Sequence, residues 1–136
     1  MIGLDTNVIV RVAVGDDPEQ AALAKSRLLS LSTSEPGFIT HVVMVELWWV
    51  LTRAYKKTTA DVLAFLTRLT ETATIVVQDR ESVLSALTAV QDNGADFADA
   101  LVVAVSTASG CSAVESFDAK AIKRAGMRPI PRHPLA

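Results

Sequence analysis

Apolar positions along this chain come in short blocks whose period changes from strand-like to helix-like and back. Ile2 to Leu4 suits a buried strand, and Thr6-Asn7 turns into the apolar segment Val8 to Val14, which reads as a helix despite its β-branched residues. Gly15 to Gln20 opens the next helix. Asp17 is placed to N-cap it, Pro18 fits its first position, and Gln20 stands where a capping box places Glu or Gln. That helix continues through Leu23, Leu28 and Leu29 into a Ser/Thr-rich loop, Ser30 to Ser34. Pro36-Gly37 reads as a turn and Phe38-Ile39 as a strand. Thr40 is an N-cap for a helix that contains Glu46 and fades at Tyr55-Lys56-Lys57.

The second half repeats the alternation. Thr58 or Thr59 caps a helix whose Val62, Leu63, Leu66 and Leu69 share one face, and Ala73 to Val77 is a β-branched strand. Asp79 caps a helix through Val83, Leu84, Leu87 and Val90 that stops at Asn93-Gly94. Asp96 caps Phe97 to Ser109, which Gly110 ends. Ser112 to Glu115 is a strand, Ser116 starts a short helix through Ile122 that Gly126 ends, and Met127 to Ile130 is an edge strand. Strands alternating with helices predict an α/β fold around a mostly parallel sheet, in which sites form at the carboxyl ends of strands. Asp5 and Asp118 are predicted just there.

Composition narrows the class. With 136 residues, half of them hydrophobic, the chain fits one domain with a real core. No apolar stretch approaches the ~20 residues that cross a bilayer, and the start lacks the basic n-region of a signal peptide, so the expected location is the cytoplasm, with no membrane. Cys111 is the only cysteine, which excludes an intramolecular disulfide and a cysteine-based zinc framework. A net charge of −2 excludes a broadly basic, nucleic-acid-coating surface. Binding to a polyanion must therefore be focused.

Four carboxylates look out of place. Asp5 ends Met1 to Leu4, Glu46 is the only non-apolar residue between Val42 and Leu51, Asp99 opens Ala100 to Ala104, and Asp118 follows Ser116-Phe117. Burying isolated carboxylates costs several kcal/mol each, so a group of them near one core implies cations between them. Each also has a plainer explanation. Asp96 and Asp99 suit an N-cap with an acid in the first helical turn; Asp118 suits a helix start; Asp5-Thr6-Asn7 suits an Asx-turn; Glu46 is harder to excuse, in mid-helix among apolar neighbours. Trp48 and Trp49 point in different directions on one helix, so both hardly face a single core and one is expected at an interface.

Together these residues carry a resemblance. Asp5-Thr6-Asn7-Val8-Ile9-Val10-Arg11, Gly15 to Gln20, Glu46-Leu47, Asp96-Phe97-Ala98-Asp99-Ala100-Leu101 and Ser116-Phe117-Asp118-Ala119-Lys120-Ala121 resemble, in order and spacing, the motifs of PIN-domain ribonucleases, specifically VapC toxins of toxin–antitoxin pairs. The resemblance implies a single nuclease domain over residues 1–136, a three-layer α/β/α sandwich in which acids bind Mg²⁺ or Mn²⁺ and hydrolyse RNA. It implies Asp5, Glu46, Asp99 and Asp118 as catalytic and metal-binding acids, Asp96 as an auxiliary acid, and Thr6, Asn7 and Ser116 as orienting residues. It also implies cleavage to a 5′-phosphate and a 3′-hydroxyl, a homodimer and a small antitoxin partner. Ser116 replaces a more usual threonine, and Glu115 is an extra acid that leaves the ligand count open. Arg11 and Lys120 are candidates for RNA contacts, with Arg53, Lys56, Lys57, Lys123 and Arg124 behind them; solvated helix faces are the plainer reading for most.

The chemistry agrees with hard oxygen ligands, which suit Mg²⁺ or Mn²⁺. Zinc fits poorly, because His41 is a helix-start residue and His133 lies in a Pro-rich tail. A cation would lower the pKa of the attacking water and offset charge on the phosphate, with a second ion ~4 Å away at the leaving oxygen. Two rival classes remain at this level: a haloacid-dehalogenase-like phosphatase or phosphotransferase with Asp5 as nucleophile, and a non-catalytic PIN-like module that binds RNA or protein.

Overall fold

In the computed structural model of the chain, residues 1–132 are described, so His133 of the Pro-rich tail lies outside the described residues. The chain divides into two compact units, one spanning Met1–Arg80 and the other beginning at Glu81. The class is α/β with parallel strands, as the alternation of blocks predicts.

The first unit is built on a three-stranded parallel sheet, ordered β1 (Ile2–Gly3), β2 (Gly37–Ile39) and β3 (Ile75–Val77). Ile2 pairs with Gly37, and Gly37 with Ile75, which fixes the register. Parallel neighbours need long crossovers. The first is α1 (Thr6–Ala13) with α2 (Pro18–Ser30), and the second is α3 (His41–Trp49) with α4 (Thr59–Glu71). Ile9, Ile39, Met44, Leu47, Val62 and Leu66 are fully buried and form the core of this unit.

Local chemistry explains most of its boundaries. Asp17 accepts from the Gln20 amide at 3.0 Å with Pro18 at the start of α2, Thr40 accepts from the Val43 amide at 3.2 Å, and Thr58 accepts from the Asp61 amide at 3.1 Å. Gln20 does not close a capping box; its side chain accepts from Arg11 Nε at 2.8 Å instead. Gly37 belongs to a strand rather than a turn. A Cβ there would come within 2.7 Å of Leu4 Cδ1 and 3.0 Å of Leu31 Cδ1, so the buried leucines flanking β2 leave room only for glycine.

Two features of this unit depart from the sequence expectation. Thr6 is the first residue of α1, not part of a turn, because the Asp5 side chain accepts its amide at 2.8 Å. The helix carrying Glu46 ends at Tyr55-Lys56-Lys57 as expected, but its last turn, Val50–Ala54, is π-helical, and the Thr52 hydroxyl donates to the Trp48 carbonyl at 2.6 Å. Such turns inside α-helices concentrate at functional sites.

The second unit holds α5 (Arg80–Asn93), α6 (Phe97–Ala108), α7 (Ala119–Ala125) and a two-stranded parallel sheet of β4 (Glu115–Ser116) and β5 (Arg128–Pro129). Val83, Leu87, Val90, Phe97 and Leu101 are among its buried apolar residues, and α6 packs against α7. The first strand of this unit is displaced toward the C-terminus relative to expectation. Ser116 is a strand residue whose hydroxyl accepts the Asp118 amide at 2.9 Å, and Asp118 rather than Ser116 starts α7. Asp79 precedes α5 with φ of 39°, and Gly126 closes α7 with φ of 83°, a left-handed value that glycine adopts without strain.

Candidate active site

Three of the singled-out acids are N-caps, and each spends one identified oxygen on the backbone. Asp5 Oδ1 accepts from the Thr6 amide at 2.8 Å, and Asp96 Oδ2 accepts from the Asp99 amide at 3.1 Å. Asp118 Oδ1 takes two amides, Lys120 at 2.8 Å and Ala121 at 3.2 Å. The second oxygen of each carries no hydrogen bond among the described residues. Capping and ligation are therefore compatible here: one oxygen fixes the rotamer and the other is left without a hydrogen bond among the described residues, at a helix N-terminus where the backbone already favours negative charge.

Asp99 differs from those caps. It occupies the third position of α6, is partly buried, and has a carboxyl pushed above the usual carboxylate range, first by burial, then by the charges of Asp96 and Asp118. The structure thus brings Asp96, Asp99 and Asp118 into electrostatic reach of one another within the second unit. No lysine or arginine is paired with Asp99 among the described residues. Repulsion between like charges without a protein counter-charge is the condition a cation relieves.

Asp5 and Glu46 belong to the first unit. Asp5 lies two residues beyond β1, and its neighbour Thr6 is buried with a hydroxyl that has no hydrogen-bond partner among the described residues. Glu46 is exposed in mid-α3 and likewise has no ion-pair or hydrogen-bond partner among them for its side chain. Among the described residues, no three Asp, Glu, His or Cys side chains are drawn together closely enough to hold a metal ion by themselves.

Most of these acids are not buried, contrary to what their apolar neighbours in sequence suggest. Asp5, Glu46 and Asp118 are exposed, because the first and last are helix caps and Glu46 lies on the solvent stripe of an otherwise apolar helix. Only Asp99 carries a desolvation cost. Within each unit the donor types suit a hard divalent cation: a carboxylate oxygen and an orphaned hydroxyl at Asp5-Thr6 in the first, and grouped carboxylates around Asp99 in the second.

The remaining candidates divide into engaged and free groups. Arg11 donates to Gln20 Oε1 at 2.8 Å and Asp16 Oδ1 at 2.9 Å and reaches the Tyr55 hydroxyl at 3.4 Å, while Tyr55 donates to Asp16 Oδ2 at 2.9 Å. Its fork ties α1 to the start of α2 and to the residue after the π turn. Asn7 is exposed on α1, and Lys120 is exposed in the first turn of α7. Glu115 is held by Arg128, with Nε and Nη2 both 3.0 Å from Oε2, across the paired strands β4 and β5. Opposite charges in two short predicted strands were the available signal for that pair. His41 starts α3, and its amide donates to Gln78 Oε1 at 2.9 Å.

Trp48 and Trp49 separate as adjacent helical residues must. Trp48 is buried, whereas Trp49 remains 46% exposed with the Arg53 guanidinium 3.5 Å from its ring centroid. The four-residue spacing that brings Arg53 onto Trp49 is ordinary helical spacing, so this neighbour is visible in the sequence.

The model of the PIN domain family matches residues 2–127, nearly the whole chain, and the chain belongs to that family. No curated protein matches it. Membership agrees with the α/β class and sets aside the haloacid-dehalogenase-like reading. It suggests nuclease activity and RNA binding in general, and nucleases of the family generally use divalent metals.

Proposed function

We propose that this PIN-domain protein is a metal-dependent endoribonuclease of the VapC toxin type, working as one nuclease domain over residues 1–136 and hydrolysing RNA phosphodiester bonds. The observation that carries the reading is the grouping of a partly buried Asp99 with Asp96 and Asp118, with no basic side chain paired to Asp99 among the described residues. The reaction is assigned to Asp5 and Glu46 from the first unit and Asp99 and Asp118 from the second, with Asp96 in an auxiliary role. The family match supports assigning both units to one activity, since it runs through both.

Mg²⁺ or Mn²⁺ held by these acids would supply a lowered pKa for the attacking water and charge compensation at the phosphate. The chain's own part is orientation. Asp5, Asp96 and Asp118 are fixed by the helices they cap, so little side-chain entropy remains to be lost when a ligand binds. The Ser116 hydroxyl holds the Asp118 amide and sets the turn that presents its carboxylate. Thr6 and Asn7 flank Asp5 at the start of α1, and Lys120 brings a positive charge to the first turn after Asp118. No side-chain nucleophile is needed.

The partners belong to the same reading. A groove of about 400 Å³ beside α1 and α2, lined by Val8, Leu23 and Ala24 with Arg11, Gln20 and Arg27, supports docking of an apolar helix from a small antitoxin. A homodimer is part of the same proposal. No helix among the described residues is long and apolar enough to cross a membrane, which is compatible with the cytoplasmic location proposed for a toxin acting on RNA.

Glu46 offers a clean test, since its side chain has no hydrogen-bond or ion-pair partner among the described residues. Glu46→Gln is expected to lower RNA cleavage by at least a hundredfold, with an unchanged or slightly raised melting temperature in the absence of metal. Cleavage at the wild-type rate by the folded variant would remove Glu46 from the reaction.

A further inference from the structure

Beyond the acids, the exposed stripe of α3 carries a second chemistry. Val42, Glu46, Trp49 and Arg53 follow one another at spacings of four, three and four residues along α3 and its π turn, and all four are exposed. Residues so spaced lie on one helical face. The stripe therefore sets an unpaired carboxylate beside an exposed indole, with a guanidinium 3.5 Å from that indole's centroid. Lys56 and Lys57 follow at once, both exposed, and Lys56 takes a left-handed φ of 52° that ends the helical path.

We propose that Trp49 and Arg53 form a subsite for one unpaired nucleotide of the substrate RNA, which places single-stranded RNA, not duplex, along the face that carries Glu46. This rests on the ribonuclease reading above. An aromatic ring stacks any base, and an arginine plane extends the stack while its charge meets the adjacent phosphate. A base paired within a duplex offers no free face to such a platform. The guanidinium already lies over the ring, so the platform is organised before RNA arrives, and the arginine has no carboxylate partner among the described residues to compete with phosphate. A protein partner on the same face would instead cover two exposed hydrophobic residues, Val42 and Trp49, an outcome that the test separates from RNA binding.

The test uses full-length protein carrying Asp99→Asn, so that RNA survives, and measures its affinity for a labelled RNA of roughly a dozen unpaired nucleotides and for the same strand annealed to its complement. Adding Trp49→Ala is expected to weaken binding of the unpaired strand roughly tenfold or more, with little change for the duplex; Trp49→Phe should restore most of the loss. Arg53→Ala should weaken it less and reduce its salt dependence. Melting temperature and light scattering on each variant control for folding and mass. Unchanged affinity in folded Trp49→Ala overturns the subsite while leaving ribonuclease activity standing, as does an equal loss for both RNAs. So does a loss that merely follows a fall in molecular mass, which would make the face an interface between copies. A wild-type protein that neither binds nor cleaves RNA overturns the ribonuclease reading itself, and the subsite with it.

Discussion

The state of Asp99 follows from what surrounds it. Burial, Asp96 and Asp118 all disfavour its charged form, so its folded pKa lies above the unfolded value. The folded protein then holds a proton that the unfolded chain releases over the window between the two pKa values, and stability falls as pH rises through that window. Stability from this group is fully present below the ordinary aspartate range and is lost once pH passes the raised value. Asp99→Asn removes the titration. In the absence of metal, the variant should gain stability relative to wild type as pH rises from the acidic side of the carboxylate range toward neutrality, measured by urea unfolding across that range. A constant difference between the two proteins would mean that Asp99 is as well solvated as an ordinary surface aspartate.

Secondary elements decide which acids stand ready and which are occupied. Asp5, Asp96 and Asp118 serve as caps, and the strand pairing of β4 with β5 brings Glu115 onto Arg128. The Arg128 guanidinium already offsets the charge of Glu115, which we therefore place outside the proposed metal site. Glu115→Gln should leave metal-dependent RNA cleavage within about twofold of wild type and cost less than ~1 kcal/mol in stability, since both partners are substantially exposed. A loss of cleavage comparable to that of Glu46→Gln would return Glu115 to the site. Helices and strands were legible in the sequence because caps and glycines punctuate it: Asp17, Thr40, Thr58 and Asp96 cap the helices assigned to them. The placement of Ser116 and Asp118 was misjudged by two residues, because either side chain suits a helix start and only the strand register separates them. The π turn leaves no trace in apolar spacing, whereas the four-residue spacing of Trp49 and Arg53 is visible in the sequence. The acids were found for a partly mistaken reason. Apolar neighbours in sequence do not bury a residue that caps a helix, as the exposed Asp5 and Asp118 show, and what marks Asp99 is the company of other carboxylates.

For the whole molecule, the account joins a family fold to an excess of unpaired acid. A cation that binds only the folded protein stabilises it by an amount set by mass action, about 2.7 kcal/mol at a hundredfold excess over Kd. Saturating Mn²⁺ should raise the melting temperature of wild type by several degrees and that of Asp5→Asn and Asp99→Asn by much less. Equal shifts in all three would place the ion elsewhere on the chain. The most direct measurement is cleavage of unstructured RNA by purified wild type and Asp99→Asn, each with EDTA and with Mn²⁺. The account predicts cleavage by wild type with Mn²⁺ alone, ending in 5′-phosphate and 3′-hydroxyl termini, and a fall of orders of magnitude in the folded variant. Cleavage that persists in EDTA, or that Asp99→Asn matches with Mn²⁺, would contradict it.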